Sequence, residues 1–429
     1  MNPLAEELNT ILGETVAGRL MSNLGRRLYF PNGIIAQSAE AKKSAKLANG
    51  TIGMACSNGV PLILSAVADN VTLSAEESVA YAPTAGVEKV RAVWKDLIIQ
   101  KNPSLNPGGI SLPVVVPGLT AGLSYAADLF FGRQDSLITS EPCWDNYGLI
   151  IETRRGAKIT GVPFFGNGTG LDMDSIGAAI EKEAKKGVIR ILFNFPNNPS
   201  GYSPTEKEAQ AIVSMLKKAA ENGADVLAIC DDAYFGLFYE DGICGESLFS
   251  RLAGLHEKIL AIKIDGPTKE DYVWGMRIGF LTFGSKGLGQ NHYDALIKKM
   301  MGAIRSSASC ANTGAQYLIL KVLEDKRSPD EKKHFMAMLQ QRYNLVKNFI
   351  KSNPNHPALK PMPFNSGYFM SFLCQGINAE SLRRELLEKH GIGVISLGDS
   401  CLRVAFSSID EDKIEETYRL IYDTAGKLN

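Results

Sequence analysis

Short apolar runs punctuate the middle of the chain, at 112–116, 136–140, 158–162, 189–193, 226–230, 259–264 and 278–283. They are continuous rather than alternating, as in strands buried on both faces. Segments with helical periodicity stand between most of them, at 118–131, 173–185 and 205–222, with another helix at 87–100. Strands alternating with helices predict an α/β fold, with a mostly parallel central sheet covered by helices. The last two runs have no helical pattern between them, so one antiparallel strand is expected.

The texture changes after residue 328. A long charged helix is predicted at 330–353, then a Pro-rich stretch, strands at 368–373, 393–395 and 402–405, and helices at 379–390 and from Asp410. This is the pattern of a smaller α+β domain. At the other end, Leu4, Leu8, Ile11 and Leu12 share one helix face, and 33–48 reads as a second short helix. A chain of 429 residues exceeds one core. The expected division is a helical arm at 1–50, a large α/β domain at 51–325 and a small α+β domain at 326–429. The arm belongs with the small domain or a dimer contact.

Composition removes several classes of function. Lys+Arg and Asp+Glu are 46 each, so the chain lacks the basic excess of a nucleic-acid binder. The uncharged stretch 102–127 contains four prolines and four glycines and is no membrane helix. The N-terminus has neither the basic nor the apolar region of a secretory leader. The seven scattered cysteines form no CxxC pair, which predicts reduced thiols, a cytoplasmic location and no metal site. No GxGxxG follows a strand, and GxxxxGK[ST], HExxH and GxSxG are absent.

Four clusters fall at predicted strand ends, where open α/β sheets bind ligands. Gly118-Leu119-Thr120-Ala121-Gly122 joins a strand to a helix, so its amides can face an anion, although an ordinary turn has the same residues. Asn197-Asn198-Pro199-Ser200-Gly201 is turn chemistry that also offers a carboxamide. Asp231-Asp232-Ala233-Tyr234 ends a very apolar strand, and alternation lets only one carboxylate face a given site. Gly266-Pro267-Thr268-Lys269 puts a lysine beyond another buried strand, with Arg277 eight residues on. Desolvation lowers a lysine's pKa and suits it to Schiff-base chemistry.

The order and spacing of these clusters resemble the class I/II aminotransferases, which are fold-type-I pyridoxal-phosphate enzymes. The resemblance covers about residues 54–406 and is closest to the aspartate and aromatic aminotransferases. The family's Ser-x-[Ser/Thr]-Lys, with Arg eight residues later, stands here as Gly266-Pro267-Thr268-Lys269 and Arg277-Ile278-Gly279. Its Asn-Pro-[Thr/Ser]-Gly is Asn198-Pro199-Ser200-Gly201, its Asp-x-x-Tyr is Asp231 to Tyr234, and its Trp-x-Asn is Trp144-Asp145-Asn146.

The resemblance implies a role for each residue. Lys269 would hold pyridoxal 5′-phosphate covalently, then move the substrate proton. Asp231 would keep the pyridine nitrogen protonated. Tyr234 and Asn198 would donate to the phenolic oxygen, and Trp144 would stack on the ring. The phosphate would rest on Gly118, Leu119 and Thr120, with Thr268 and Arg277. Arg403 would grip the substrate α-carboxylate. Tyr81 and Arg305 would reach the site of a neighbouring subunit, Tyr81 to the phosphate and Arg305 to a side-chain carboxylate. Gly266, Tyr272 and Val273 depart from the family pattern, and Asp265 brings a negative charge near the phosphate cup.

The resulting expectation is a homodimeric aminotransferase with a shared site and a ping-pong mechanism. It would move nitrogen from a dicarboxylic or aromatic L-amino acid to a 2-oxo acid such as 2-oxoglutarate. The residues leave open another reaction on the same cofactor, such as β-elimination at a C–S bond or racemisation, and a non-catalytic aminotransferase-like binding module.

Overall fold

The computed structural model describes the chain except for Asn32, Phe164, residues 167–169 and Asn429. The strands used below are β1 (Ala48–Asn49), β2 (Val114–Val116), β3 (Ser136–Ser140), β4 (Lys158–Val162), β5 (Val188–Asn194), β6 (Asp225–Asp231), β7 (Ile259–Asp265), β8 (Gly279–Gly284), β9 (Leu359–Pro361), β10 (Phe369–Cys374), β11 (Ile392–Gly393), β12 (Ile395–Leu397) and β13 (Cys401–Ala405). Several short ones aside, the helices are α1 (Pro3–Leu12), α2 (Ile34–Ser44), α3 (Glu88–Lys101), α4 (Leu119–Phe130), α5 (Met173–Ala184), α6 (Glu206–Glu221), α7 (Pro267–Glu270), α8 (Gln290–Arg305), α9 (Thr313–Glu324), α10 (Ser328–Ser352), α11 (Ala379–His390) and α12 (Glu411–Leu428).

Among the described residues, seven strands form one sheet in the order β2-β8-β7-β6-β5-β3-β4. β3 to β7 pair in parallel, while β8 runs antiparallel to both β7 and β2. The expected antiparallel strand is therefore β8. The apolar runs other than the edge strand β4 are largely buried because helices cover both faces. Ile229, Ile262, Ile264 and Leu281 pack into one core with α4 and α8. Ala228, Cys230, Ala261 and Phe280 pack into the other with α3, and Trp94 stacks on Phe280 at 4.2 Å.

A second sheet, in the order β9-β10-β13-β12, is antiparallel and carries α10, α11 and α12. The predicted strand 393–395 is two strands in different sheets: β11 pairs in parallel with β1, and β12 pairs with β13. The predicted helix 33–48 ends at Ser44 because its last residues enter β1. An eight-residue π-helical segment, Gly148–Arg155, had no signature in the apolar pattern. No helix among the described residues is long and apolar enough to cross a membrane.

Candidate active site

The C-terminal ends of the parallel strands open into a cavity of about 230 Å³. Its walls bring together Leu119, Thr120, Trp144, Asn198, Asp231, Tyr234, Thr268, Lys269 and Arg277, residues drawn from clusters far apart in the chain. Tyr147 and Asn194, which no motif pointed to, also line it.

One end of the cavity is built for an anion. Gly118 precedes α4, whose first amides have no acceptor within the helix. The Arg277 guanidinium lies against this turn: a Cβ on Gly118 would stand 2.6 Å from its Nη2, and Gly118 has φ +84°. Glycine here gives both the backbone conformation and the space for the cation. Thr268 is buried beside the same turn. Gly266 has an ordinary extended φ, but a Cβ there would stand 3.0 Å from Gly279 Cα and 3.1 Å from the Ile278 carbonyl. The family's serine hydroxyl is thus traded for close packing of β7 on β8. Asp265 does not burden the anion end, because its side chain turns to the opposite face and accepts from Trp94 Nε1 at 3.0 Å.

The other end is built for a cation. Asp231 is 3% exposed, and its Oδ2 accepts from the Tyr147 hydroxyl at 2.6 Å. Burial raises this carboxyl to about 6, against the lowering influence of Tyr147 and Lys269. Asn194, in register with Asp231, donates to the Asp231 carbonyl at 2.9 Å and accepts from the Asn198 amide at 2.8 Å, so it aligns the two turns. Trp144 forms a side wall, with the Tyr147 ring edge-on to it at 5.5 Å.

Lys269 lies between these ends, on α7, with its Nζ 4.7 Å from the centre of the Tyr234 ring. Burial lowers its amine to about 8, an effect that Arg277 reinforces and Asp231 opposes. Such an amine is a usable nucleophile and base near neutrality.

Arg403 projects from β13 behind Asn198 and is 2% exposed. It donates to Asn198 Oδ1 at 3.0 Å and to the Thr51 carbonyl at 2.8 Å, and it lies 4.4 Å from the centre of the Phe369 ring. Its Nε, also buried, has no protein acceptor. The bond to Oδ1 leaves the amide nitrogen of Asn198 as a donor at the cavity. Two expected residues lie elsewhere: Tyr81 is 92% exposed and Arg305 is exposed at the end of α8, and neither lines this cavity.

Four carboxylates adjoining the site residues are turned away onto lysines outside the cavity, two of them sharing one. Asp232 and Asp265 pair with Lys263, which is 1% exposed on the opposite face of the sheet. Ser247 also donates to Asp232, at 2.6 Å. Burial disfavours the Lys263 charge, but the two carboxylates more than compensate and hold its pKa above the ordinary value. Glu270 pairs with Lys101 at 2.5 Å, and Asp271 pairs with Lys332. Asp231 is thereby left facing the cavity without a lysine of its own behind it.

The site is thus a cavity with Arg277 and the start of α4 at one end, a buried acid at the other and a buried lysine between them. The family model described as aminotransferase class I and II matches residues 55–421. Aromatic-amino-acid aminotransferase 2 of Thermococcus litoralis is 22% identical over 345 residues, covering 78% of this chain and 81% of the relative. The cytoplasmic aspartate aminotransferase of Saccharomyces cerevisiae is 23% identical over 314 residues, covering 70% and 71%. The crystal structure of an aminotransferase from Anaerococcus prevotii superposes with a TM-score of 0.82 at 22% identity, covering 97% and 99%.

Proposed function

The chain belongs to the class I and II aminotransferases, enzymes that depend on pyridoxal 5′-phosphate, and on that premise we propose that it moves an amino group from a dicarboxylic or aromatic L-amino acid to a 2-oxo acid such as 2-oxoglutarate. The observation that carries the reading is the placement of Lys269 between the Gly118–Arg277 cup and the buried Asp231.

These residues fit the cofactor. The amides of Leu119 and Thr120, the hydroxyls of Thr120 and Thr268, and Arg277 suit a phosphate dianion. Asp231 suits a ring nitrogen that must stay protonated, and Tyr147 holds this carboxylate in place. Trp144 offers a stacking face, while Tyr234 and Asn198 offer donors for the phenolic oxygen. Lys269 would be the covalent anchor. Bound there, pyridoxal phosphate supplies an electron sink for the negative charge left at the amino acid's Cα.

The chain's own residues then have three tasks. Arg403 orients the substrate by its α-carboxylate; its fork is fixed in advance by Asn198, Thr51 and Phe369. The free amine of Lys269 would take the proton from the substrate's Cα and hold it for return. An amine with a pKa of about 8 is roughly one-tenth unprotonated at pH 7 and half unprotonated at pH 8, so Lys269 can itself serve as the base. The buried walls exclude water while the proton is held.

The same reading makes the enzyme a homodimer. Tyr81 of the partner subunit would complete the phosphate cup, and Arg305 of the partner subunit would meet a side-chain carboxylate. It divides the chain into an arm at 1–50, a large domain at 51–325 and a small domain at 326–429, and it places the enzyme in the cytoplasm. The names of the relatives support the aspartate and aromatic substrate classes.

The test is an absorbance spectrum of the protein supplied with pyridoxal phosphate, before and after separate additions of L-aspartate, L-glutamate, L-tyrosine and L-alanine. A visible band that borohydride removes, with the label fixed on Lys269, is the expected result. One donor class should then convert the spectrum. A protein that stays colourless with pyridoxal phosphate present would overturn the reading.

A further inference from the structure

The segment from Lys269 to Arg277 carries both the reactive amine and the phosphate-cup guanidinium, and its backbone is held in an unfavourable form. Tyr272 and Arg277 have φ of +57° and +52°, the left-handed region that side chains disfavour. Such conformations persist only where the surroundings over-determine them.

The surroundings here come from α10. Lys332, on its second turn, forms an ion pair with Asp271, which is 1% exposed and closes α7 through its N–H to the Pro267 carbonyl at 2.9 Å. One turn on, Phe335 meets the edge of Tyr272 at 5.0 Å, and Tyr272 in turn packs on Trp274. Lys101 holds the neighbouring Glu270, and the Tyr368 hydroxyl donates to the Lys269 carbonyl at 3.2 Å.

The same helix reaches the other half of the substrate site. Arg342, about 15 Å further along α10, donates to the carbonyls of Ser407 and Cys56, both at 2.6 Å. Ser407 lies four residues beyond Arg403 on the same chain segment. One helix therefore serves as the reference for both the Lys269 amine and the Arg403 guanidinium. A buried ion pair is a poor source of stability, since apolar residues of like size would serve packing as well or better. What a pair adds over apolar packing is direction.

We propose that Lys332 and Asp271 are positioning residues for Lys269, an ion pair through which α10 fixes the turn that carries the lysine and Arg277. The proposal rests on the cofactor reading given above. Neither residue lines the cavity; both act through the backbone of α7.

The experiment compares wild type with Lys332→Gln, Lys332→Arg, the double variant Asp271→Asn/Lys332→Gln, and Lys333→Gln, whose side chain is exposed on the same helix. Each protein is loaded with pyridoxal phosphate. The rate of cofactor loss on dilution, the pH midpoint of the visible band and the thermal midpoint of the cofactor-free protein are measured. The expected result for Lys332→Gln is cofactor loss about tenfold faster, because small misplacements of a positioned group are costly. The visible band should also titrate at a midpoint displaced by about half a pH unit. Lys332→Arg should restore both, and Lys333→Gln should change neither. If Lys332→Gln fails to fold, the double variant, which buries no unpaired charge, is read in the same way. A variant that melts earlier but keeps the wild-type loss rate and pH midpoint would show the pair to be structural only. A wild type that forms no visible band would instead overturn the cofactor reading.

Discussion

The Tyr147 hydroxyl donates to Asp231 Oδ2 at 2.6 Å while the same ring stands edge-on to Trp144. One side chain thus fixes the acid at one end of the cavity and the wall along its side. Burial and the neighbouring carboxylate hold the phenol's pKa well above its ordinary value, so it serves only as a donor. A hydrogen bond to a charged acceptor contributes about 1.5–3 kcal/mol, so Tyr147→Phe should slow amino transfer about 10- to 100-fold. The donor lowers the Asp231 pKa, so its loss should also move the acid limb of the pH–rate profile upward. An unmoved acid limb would contradict this role.

Lys269 gives a prediction for the cofactor-free protein. Its amine is neutral above about 8, so capture of pyridoxal phosphate should accelerate as pH rises through that value. Stability should follow the same group. Between about 8 and the ordinary lysine value of 10.5, the unfolded chain retains a proton that the folded chain has released. The contribution of this lysine to folding is therefore restored as pH rises through that window and diminished below it. Stopped-flow capture rates and urea titrations across this range check both parts.

Arg403 separates substrate binding from cofactor binding. Arg403→Lys removes the planar fork while keeping the charge, and the bonds to Asn198 and Thr51 cannot both be kept together with a bidentate carboxylate contact. The KM for the amino donor should rise about 10- to 100-fold, in line with the loss of a charge-assisted hydrogen bond. The visible spectrum without substrate should be unchanged. Steady-state kinetics alongside a cofactor titration would reveal a failure of either part.

Lys263 lies behind the site and should report on stability. Lys263→Met leaves Asp232 and Asp265 buried without their cation. Breaking a buried pair in this way costs about 3–5 kcal/mol, measurable as a lower urea midpoint. Asp232→Asn combined with Lys263→Met should recover part of the loss. A double variant no more stable than the single one would show that the two residues are not energetically coupled.

The main sheet was legible in the sequence because buried parallel strands leave continuous apolar runs, and each predicted run lies within or overlaps an observed strand. The division of labour between Asp231 and Asp232 was legible as well, since alternation places neighbours on opposite faces. Lys263 was not. It interrupts the run 259–264 as a single charge; Asp265, two residues on, shares its face, but nothing local points to Asp232, which follows the neighbouring strand. Tyr147 was missed for a similar reason: its spacing from Trp144 is only one helical turn, and the acceptor is 84 residues away. The strand at 393–395 was misjudged because two short strands join different sheets across a single residue, which apolar pattern cannot resolve. Tyr81 and Arg305 rest on motif position alone, and both are exposed on this chain.

The pairing of β1 with β11 joins residues 48–49 to residues 392–393. On a ribosome, the strands from 114 to 284 emerge in time to assemble the central sheet while the C-terminal third is still being made. Ala48 and Asn49 must wait, unpaired, for more than three hundred further residues. The segment that follows them supplies the Thr51 carbonyl to Arg403. The Arg403–Thr51 contact is therefore among the last features of the molecule to form, and a chain cut short before β11 would lack it even with its central sheet complete.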